Sequence, residues 1–476
     1  MKKQSNYFQF FLGVGVISLA LGTSSCKKSS NDASAPTDQS TQTIACTGQT
    51  GGDISGPIKG TLCSGTYNVV GDVYVKSTDT LIIKPGVTIN FQGSHSFIVQ
   101  GSLFSLGSKD QPIWFTKLGL TKSDGTVTDP FSDPAYQGSW TGILCDTSTK
   151  YLVLKWTHVE FGGATLPTSP VAGMKNGQTS WMISFPNPKG VFVLEDSWIY
   201  GGVDDPIRIQ GGKVHIMRNT FEKGGYQGGE YLNIKSGTVG NVAFNLFIGG
   251  ATQAIKPSSN GGRNPETNIV AYNNTILNGG YRRVELGRGG SINFEEHASG
   301  LAYNNIIVNC KYGLRIVGAT GTYSGNALVG ADTANIFYGY NMNYVDSLSI
   351  ANQIYPVGFY TKPQPTDIPT PSSFLPSGYT VGASYSASTS ILGANNPMFV
   401  NYPLPQPSGK LSDISWAKGF DFHLKSGSPA IGKGYTGFTI RNDVPVDPMF
   451  GATLVNQPNK DLGAYPTDGN GNQHTY

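Results

Sequence analysis

Seven stretches of this chain repeat one phrase: a short apolar strand pattern, a polar residue, a second apolar run and, in most copies, a Gly-Gly ending. Examples are Leu194-Glu-Asp196-Ser-Trp-Ile-Tyr-Gly-Gly202, Val242-Ala-Phe-Asn245-Leu-Phe-Ile-Gly-Gly250 and Ala271-Tyr-Asn-Asn274-Thr-Ile-Leu-Asn-Gly-Gly280. The polar position falls at His158, Asp196, Asn219, Asn245, Asn274, Asn305 and Asn326, giving steps of 38, 23, 26, 29, 31 and 21. The shortest steps set the unit, and the longer ones carry loops inserted into it.

A unit of that length built from short strands predicts an all-β solenoid, in which each coil buries its apolar face on its neighbours. Leucine-rich repeats have a similar period but need regularly spaced leucines beside an asparagine, which are absent. A parallel β-helix asks only for inward apolar residues in each short strand. Asparagine suits its bends, because it enters the left-handed region at low cost and its amide bonds the asparagine of the next coil. Composition agrees: the chain holds 63 glycines and 13% charged residues, against the long Ala, Leu, Glu and Lys runs that helices need. A net charge of +3 is too small for a nucleic-acid-binding field.

The N-terminus has Lys2 and Lys3, an apolar run over 7–22, and small residues before Cys26. That order is a secretory signal, too short to span a membrane. Ending on cysteine, it resembles the bacterial lipobox, which implies that residues 1–25 are removed and Cys26 is lipidated. Residues 26–45 are polar and read as a flexible tether. The β-helix is expected over 46–334. Prolines, serines and tyrosines crowd 335–420, read as an irregular insertion or cap, and 421–476 as a closing segment. Cys46 and Cys63 are a candidate disulfide in an exported protein. Cys145 and Cys310, in apolar surroundings, are expected to be buried thiols.

Phrases such as Asp79-Thr-Leu-Ile-Ile-Lys-Pro-Gly-Val-Thr-Ile-Asn-Phe91 and Phe422-His-Leu-Lys-Ser-Gly-Ser-Pro-Ala-Ile-Gly-Lys-Gly434 resemble right-handed parallel β-helix lipoproteins of Bacteroidetes type, relatives of the pectate-lyase-like superfold. The likeness spans residues 65 to 465. It implies a lipid-anchored protein of the outer membrane, at its periplasmic side or the cell surface. Such a protein, expected as a monomer, binds or presents complex glycans. The superfold carries lyases, hydrolases, esterases and binders alike. The alternative is therefore a Ca-assisted polysaccharide lyase acting on uronic-acid polymers by β-elimination. The paired acids Asp204 and Asp205 invite comparison with glycosidases, but the other phrases of that family are missing.

The densest polar cluster runs from residue 281 to 297, followed by Lys311 and Arg315 one coil later. A uronic-acid lyase neutralises the substrate carboxylate and removes a proton with a base. Lys311, Arg315, His297 and Arg288 are the catalytic candidates. Asn293 and Glu295 are the candidate Ca²⁺ ligands. Strand alternation is expected to point Asn293, Glu295 and His297 one way, and Phe294 and Glu296 the other. Arg282, Arg283, Tyr281, Tyr312 and Lys256, the last on an expected loop, are the candidate ligand-binding residues, with Tyr226 and Tyr231 as further sugar-stacking rings. Trp140, Trp156 and Trp198, inside apolar phrases, are expected to pack. No zinc-ligand spacing, phosphate-cradling loop or nucleophile elbow is present.

Overall fold

Strand Val191–Glu195 shows how the repeat closes on itself. After it the chain turns into Trp198–Tyr200, then Ile207–Ile209, and returns as Gly212–Met217, which pairs parallel to the starting strand with Phe192 opposite Val214. The other two strands of the coil are the crossover that a parallel pair requires. In the computed structural model, which describes residues 41–46, 50–122, 132–171, 173–283, 285, 289–317, 335–346, 393, 395–405, 419–443 and 455–475, this path repeats as an all-β parallel solenoid. A 27-stranded hydrogen-bonded system results. We refer to the three strand positions of a coil as its first, second and third faces.

Alternation puts one set of side chains inside. Phe192, Leu194, Val214, Ile216, Ile207, Ile209, Leu232 and Ile234 are all fully buried. Each contributes about 1.5–3 kcal/mol by leaving water. Cys145 and Cys310 are buried free thiols, and Cys46 is bonded to Cys63 with their Cα atoms 5.5 Å apart.

The asparagine column is the spine. The Asn219 amide donates to Asn245 Oδ1 at 2.9 Å, Asn245 to Asn274 at 3.0 Å, Asn274 to Asn305 at 3.0 Å and Asn305 to Asn341 at 2.9 Å. Each oxygen also accepts the backbone N–H of the preceding coil's asparagine, at 2.9 to 3.1 Å. Upstream the column passes to hydroxyls, with Ser197 N–H donating to Asn219 Oδ1 and Thr157 N–H to Ser197 Oγ.

Three expectations are corrected. The column holds Thr157 and Ser197, not His158 and Asp196. The left-handed residue is the one before each member, with φ of 48° at Asp196, 58° at Arg218, 55° at Phe244 and 51° at Asn273, because that residue makes the bend while the asparagine bridges coils. After Asn305 the member is Asn341, on a coil formed by Ile336–Gly339 and Met342–Tyr344. Regular coil thus continues into the span expected to be irregular, and Asn326 lies outside the described residues.

The C-terminal residues return along the solenoid. Phe399–Asn401 and Asp421–Leu424 pair antiparallel. Phe399, Tyr402, Phe422, Leu462 and Tyr465 cover Leu246, Leu277, Ile306, Val308 and Met342 on the outside of the second face. Phe438 and Ile440 do the same for Val270, Tyr272, Leu301 and Tyr303 on the first.

Replacing Asn274 by alanine removes the acceptor that serves both the amide and the backbone N–H of Asn245. We predict a loss of about 2–4 kcal/mol in urea unfolding; a loss below about 0.5 kcal/mol would remove the column from the stabilising interactions.

Candidate functional site

The outward residues of the third face form a charged strip. Arg208, Asn233 and Lys256 occupy one column in register, and bridges from Ile255 to Ile292 and from Ser258 to Glu295 bring in the next coil. There Asn293 sits opposite Arg315. Lys256 Nζ donates to Glu230 Oε1 at 2.9 Å and lies 3.6 Å from Glu295 Oε2. The Asn233 amide bridges Asp205 Oδ2 at 2.7 Å and Glu230 Oε2 at 3.1 Å. Arg208 holds Asp205 at 3.1 Å, and Asn293 donates to Glu295.

Two neighbouring carboxyls that burial raises alike are moved in opposite directions by their partners. Asp205 is pushed well above the usual carboxylate range, by burial first and then by the adjacent Glu230. Burial would raise Glu230 too, but the Lys256 ammonium and the Asp205 hydrogen bond hold it down to about 2. The Lys256 charge is thus matched inside the protein, by Glu230 at 2.9 Å and Glu295 at 3.6 Å. Asn233 Oδ1, Asn293 Oδ1 and Arg208 Nε are buried with no hydrogen-bond partner among the described residues.

The fold brings several sequence-named residues together and engages others internally. Lys256 lies on strand Ile255–Pro257 of the strip, not on a loop. Lys311 Nζ donates to the carbonyls of Arg283 and Glu285 at 2.6 and 2.8 Å, and Arg315 lies over the Tyr312 ring at 4.4 Å. Burial, then Arg315, brings the Lys311 amine down to about 8. Arg283 pairs with Glu285 at 2.9 Å. Arg282 is a clamp: its guanidinium donates to the carbonyls of Gly224, Gly225, Tyr226 and Gly249. Tyr231, Tyr281 and Tyr312 are buried, so these rings offer no outer face to a sugar. The strand Asn293–Glu295 ends before His297, because Glu296 and His297 take φ of 51° and 66°. Glu296 turns to Ser258 Oγ at 2.7 Å, and His297 is exposed. Arg288 lies outside the described residues. Among those residues, no group of three or more His, Cys, Asp or Glu side chains is arranged to hold a metal ion.

An open groove lies elsewhere, on the first face, with a volume of about 650 Å³. Its floor is two outward columns, apolar Val270, Leu301 and Phe337 in register and polar Asn268, Ser299 and Asn335 beside them; Val270 and Leu301 are buried under Phe438 and Ile440, so the groove exposes Phe337, Asn268 and Asn335. Gly300 lets the coils close up, since a Cβ there would stand 2.0 Å from the Ile269 carbonyl oxygen. The wall is the returning segment 439–443, pinned by Asn241, which exchanges hydrogen bonds of 2.8 and 2.9 Å with the Arg441 backbone. On that wall Arg441 grips Asp443 with two bonds of 2.9 and 2.7 Å and stays partly exposed. Sequence reasoning missed this groove. Its floor was legible as alternating residues, but its wall arrives from far along the chain.

The strip is the buried charged feature and the groove the accessible one. We assign ligand contact to the groove, because a ligand needs surface and the strip's charges are already paired. Removing Lys256 with Lys256→Ala would leave Glu230 buried without its cation. The expected cost is about 3–5 kcal/mol in denaturant unfolding at pH 7, largely restored by adding Glu230→Gln. The ionised Glu230 stabilises the fold above its ordinary value of 4.5, and this contribution disappears as pH falls through about 2. A Lys256→Ala protein as stable as the parent would show that the pair carries no net load. Comparison with known proteins finds no matching family model, no matching curated protein and no matching solved structure.

Proposed function

We propose that this is an exported, lipid-anchored, right-handed parallel β-helix protein that binds a complex glycan without turnover, in the groove of the first face. The groove is the observation that carries this reading. A sugar chain presents apolar C–H patches beside hydroxyls, and the floor exposes the Phe337 ring beside the amides of Asn268 and Asn335. Arg441, held by Asp443 and partly exposed, adds N–H donors for sugar hydroxyls. Parallel β-solenoids are a shape shared by carbohydrate-binding and carbohydrate-active proteins, and the N-terminal pattern supports export and an anchor at Cys26.

The test uses Cys26→Ser protein, expected to move from the membrane to the soluble fraction, on affinity gels of neutral and uronic-acid polysaccharides. We expect retention on at least one gel and a loss of about tenfold in affinity, about 1.4 kcal/mol, in Phe337→Ala and Arg441→Ala. Retention unchanged in both variants, or none on any gel, would overturn the groove as the binding site.

Lys311 favours a second reading, β-elimination on a uronic-acid polymer. An amine brought down to about 8 is half neutral only once the pH reaches that value, and its two N–H groups are then taken by the Arg283 and Glu285 carbonyls, which leaves the lone pair to accept a proton. Such a lyase would release unsaturated ends absorbing in the ultraviolet, at a rate rising with pH through about 8 and abolished by Lys311→Ala. Assays run with Ca²⁺ and with chelator test the metal. Absence of product across the polymer panel would leave binding alone.

A further inference from the structure

Four aromatic rings stack along the outside of the second face. Trp114 and His158 lie 3.6 Å apart at 11°, His158 and Trp198 4.1 Å apart at 6°, and Trp198 and His474 3.6 Å apart at 11°. The first three belong to successive coils in strand register. The fourth does not. The residue in register after Trp198 is Thr220, whose small side chain leaves a ring-sized slot, and His474 fills it from the C-terminal tail. His474 Nδ1 and Thr220 Oγ1 are 2.8 Å apart, and the ring is 2% exposed. The tail is tied at the same place by Asn472, whose amide donates to the carbonyl of the column residue Asn219 at 3.1 Å.

We propose that the C-terminal tail is a pH-released latch, with neutral His474 closing the slot between Trp198 and Thr220 and protonated His474 leaving it. This goes beyond the glycan reading and does not depend on it. The electrostatics of the slot disfavour a proton. Burial lowers the His474 pKa well below 6.5, and the charges of Arg218 and Lys109, with His158 when protonated, act the same way. The Asp196 carbonyl is the neighbour that favours the proton. Of the acids on adjoining strands, Glu160 is engaged by Lys122 at 2.5 Å and His158 at 3.0 Å, Glu195 by Lys155 at 3.4 Å and Asp196 by Arg218 at 2.8 Å, and Glu222 is buried two residues beyond Thr220 on the same strand. Asp468, on the tail itself, accepts from Asn459 at 2.7 Å. His158 stays neutral until about 4, which separates its titration from the release.

The sign follows from linkage. A released histidine takes its proton near 6.5 while the docked one resists it, so docking is full above that value and weakens about tenfold per pH unit below it. Hydrogen exchange of the intact protein, with each amide referred to its intrinsic rate at that pH, reads this directly. Between pH 7.5 and 5 we expect protection of the tail amides around His474 to fall about 30-fold, while the core strands stay protected. In His474→Phe the response should vanish, whether the tail remains docked or remains open. In His158→Phe it should persist. Equal tail protection at both pH values in the parent, or a parental response retained in His474→Phe, would overturn the latch.

Discussion

Every coil of this solenoid must bend sharply between its first and second strands, and a bend strands a backbone N–H and a carbonyl inside the protein. A buried amide side chain that both donates and accepts resolves this, because one asparagine serves the coil on either side of it. Asn274 does so in full: its oxygen takes the Asn245 N–H and amide, and its own amide reaches Asn305 and the Val242 carbonyl. The separations between column members are 40, 22, 26, 29, 31 and 36 residues. Loop length therefore varies freely while the bend stays in line. The column sets the register, and a register shift by one residue would turn every core side chain outward.

Registered strands convert sequence spacing into columns, and each column takes the character of its residues. On the second face an outward column of Trp114, His158 and Trp198 becomes a ring stack. On the third, Arg208, Asn233 and Lys256 become a hydrogen-bonded strip. On the first, Val270, Leu301 and Phe337 become the floor of a groove.

How much of this was legible in the sequence depended on range. The coil and the asparagines at 219, 245, 274 and 305 were readable, because strand alternation and a repeated bend are local signals. Ser197 and Thr157 were missed because a hydroxyl fills the same place with a different residue type. The adjacent His158 and Asp196 fit the polar position of the repeated phrase equally well. Tyr231 and Tyr312 were read as outward rings because proximity to polar residues in sequence says nothing about which side of a strand they take. Trp140 packs inside, and Trp198 packs on the outer side of its strand, its ring stacked between His158 and His474. Arg282 looked like a ligand group because a guanidinium is drawn the same way whether it meets a carboxylate or, as here, four main-chain carbonyls. Neither the groove wall at 439–443 nor the ring at 474 had any local signal, since both depend on where the chain returns.

That return also explains why the accessible feature and the charged feature sit on different faces. A carboxylate buried on the third face pays a desolvation cost that only a nearby cation offsets, so Glu230 and Glu295 draw Lys256 inward and the strip closes on itself. The outer columns of the first and second faces are largely apolar or aromatic, and apolar surface left in water is costly. The C-terminal segment covers part of it with Phe438, Ile440, Phe422 and Tyr465. Where that cover stops, beside Phe337, an apolar floor meets a polar wall. The groove is thus the edge of the packing that holds the C-terminal segment down.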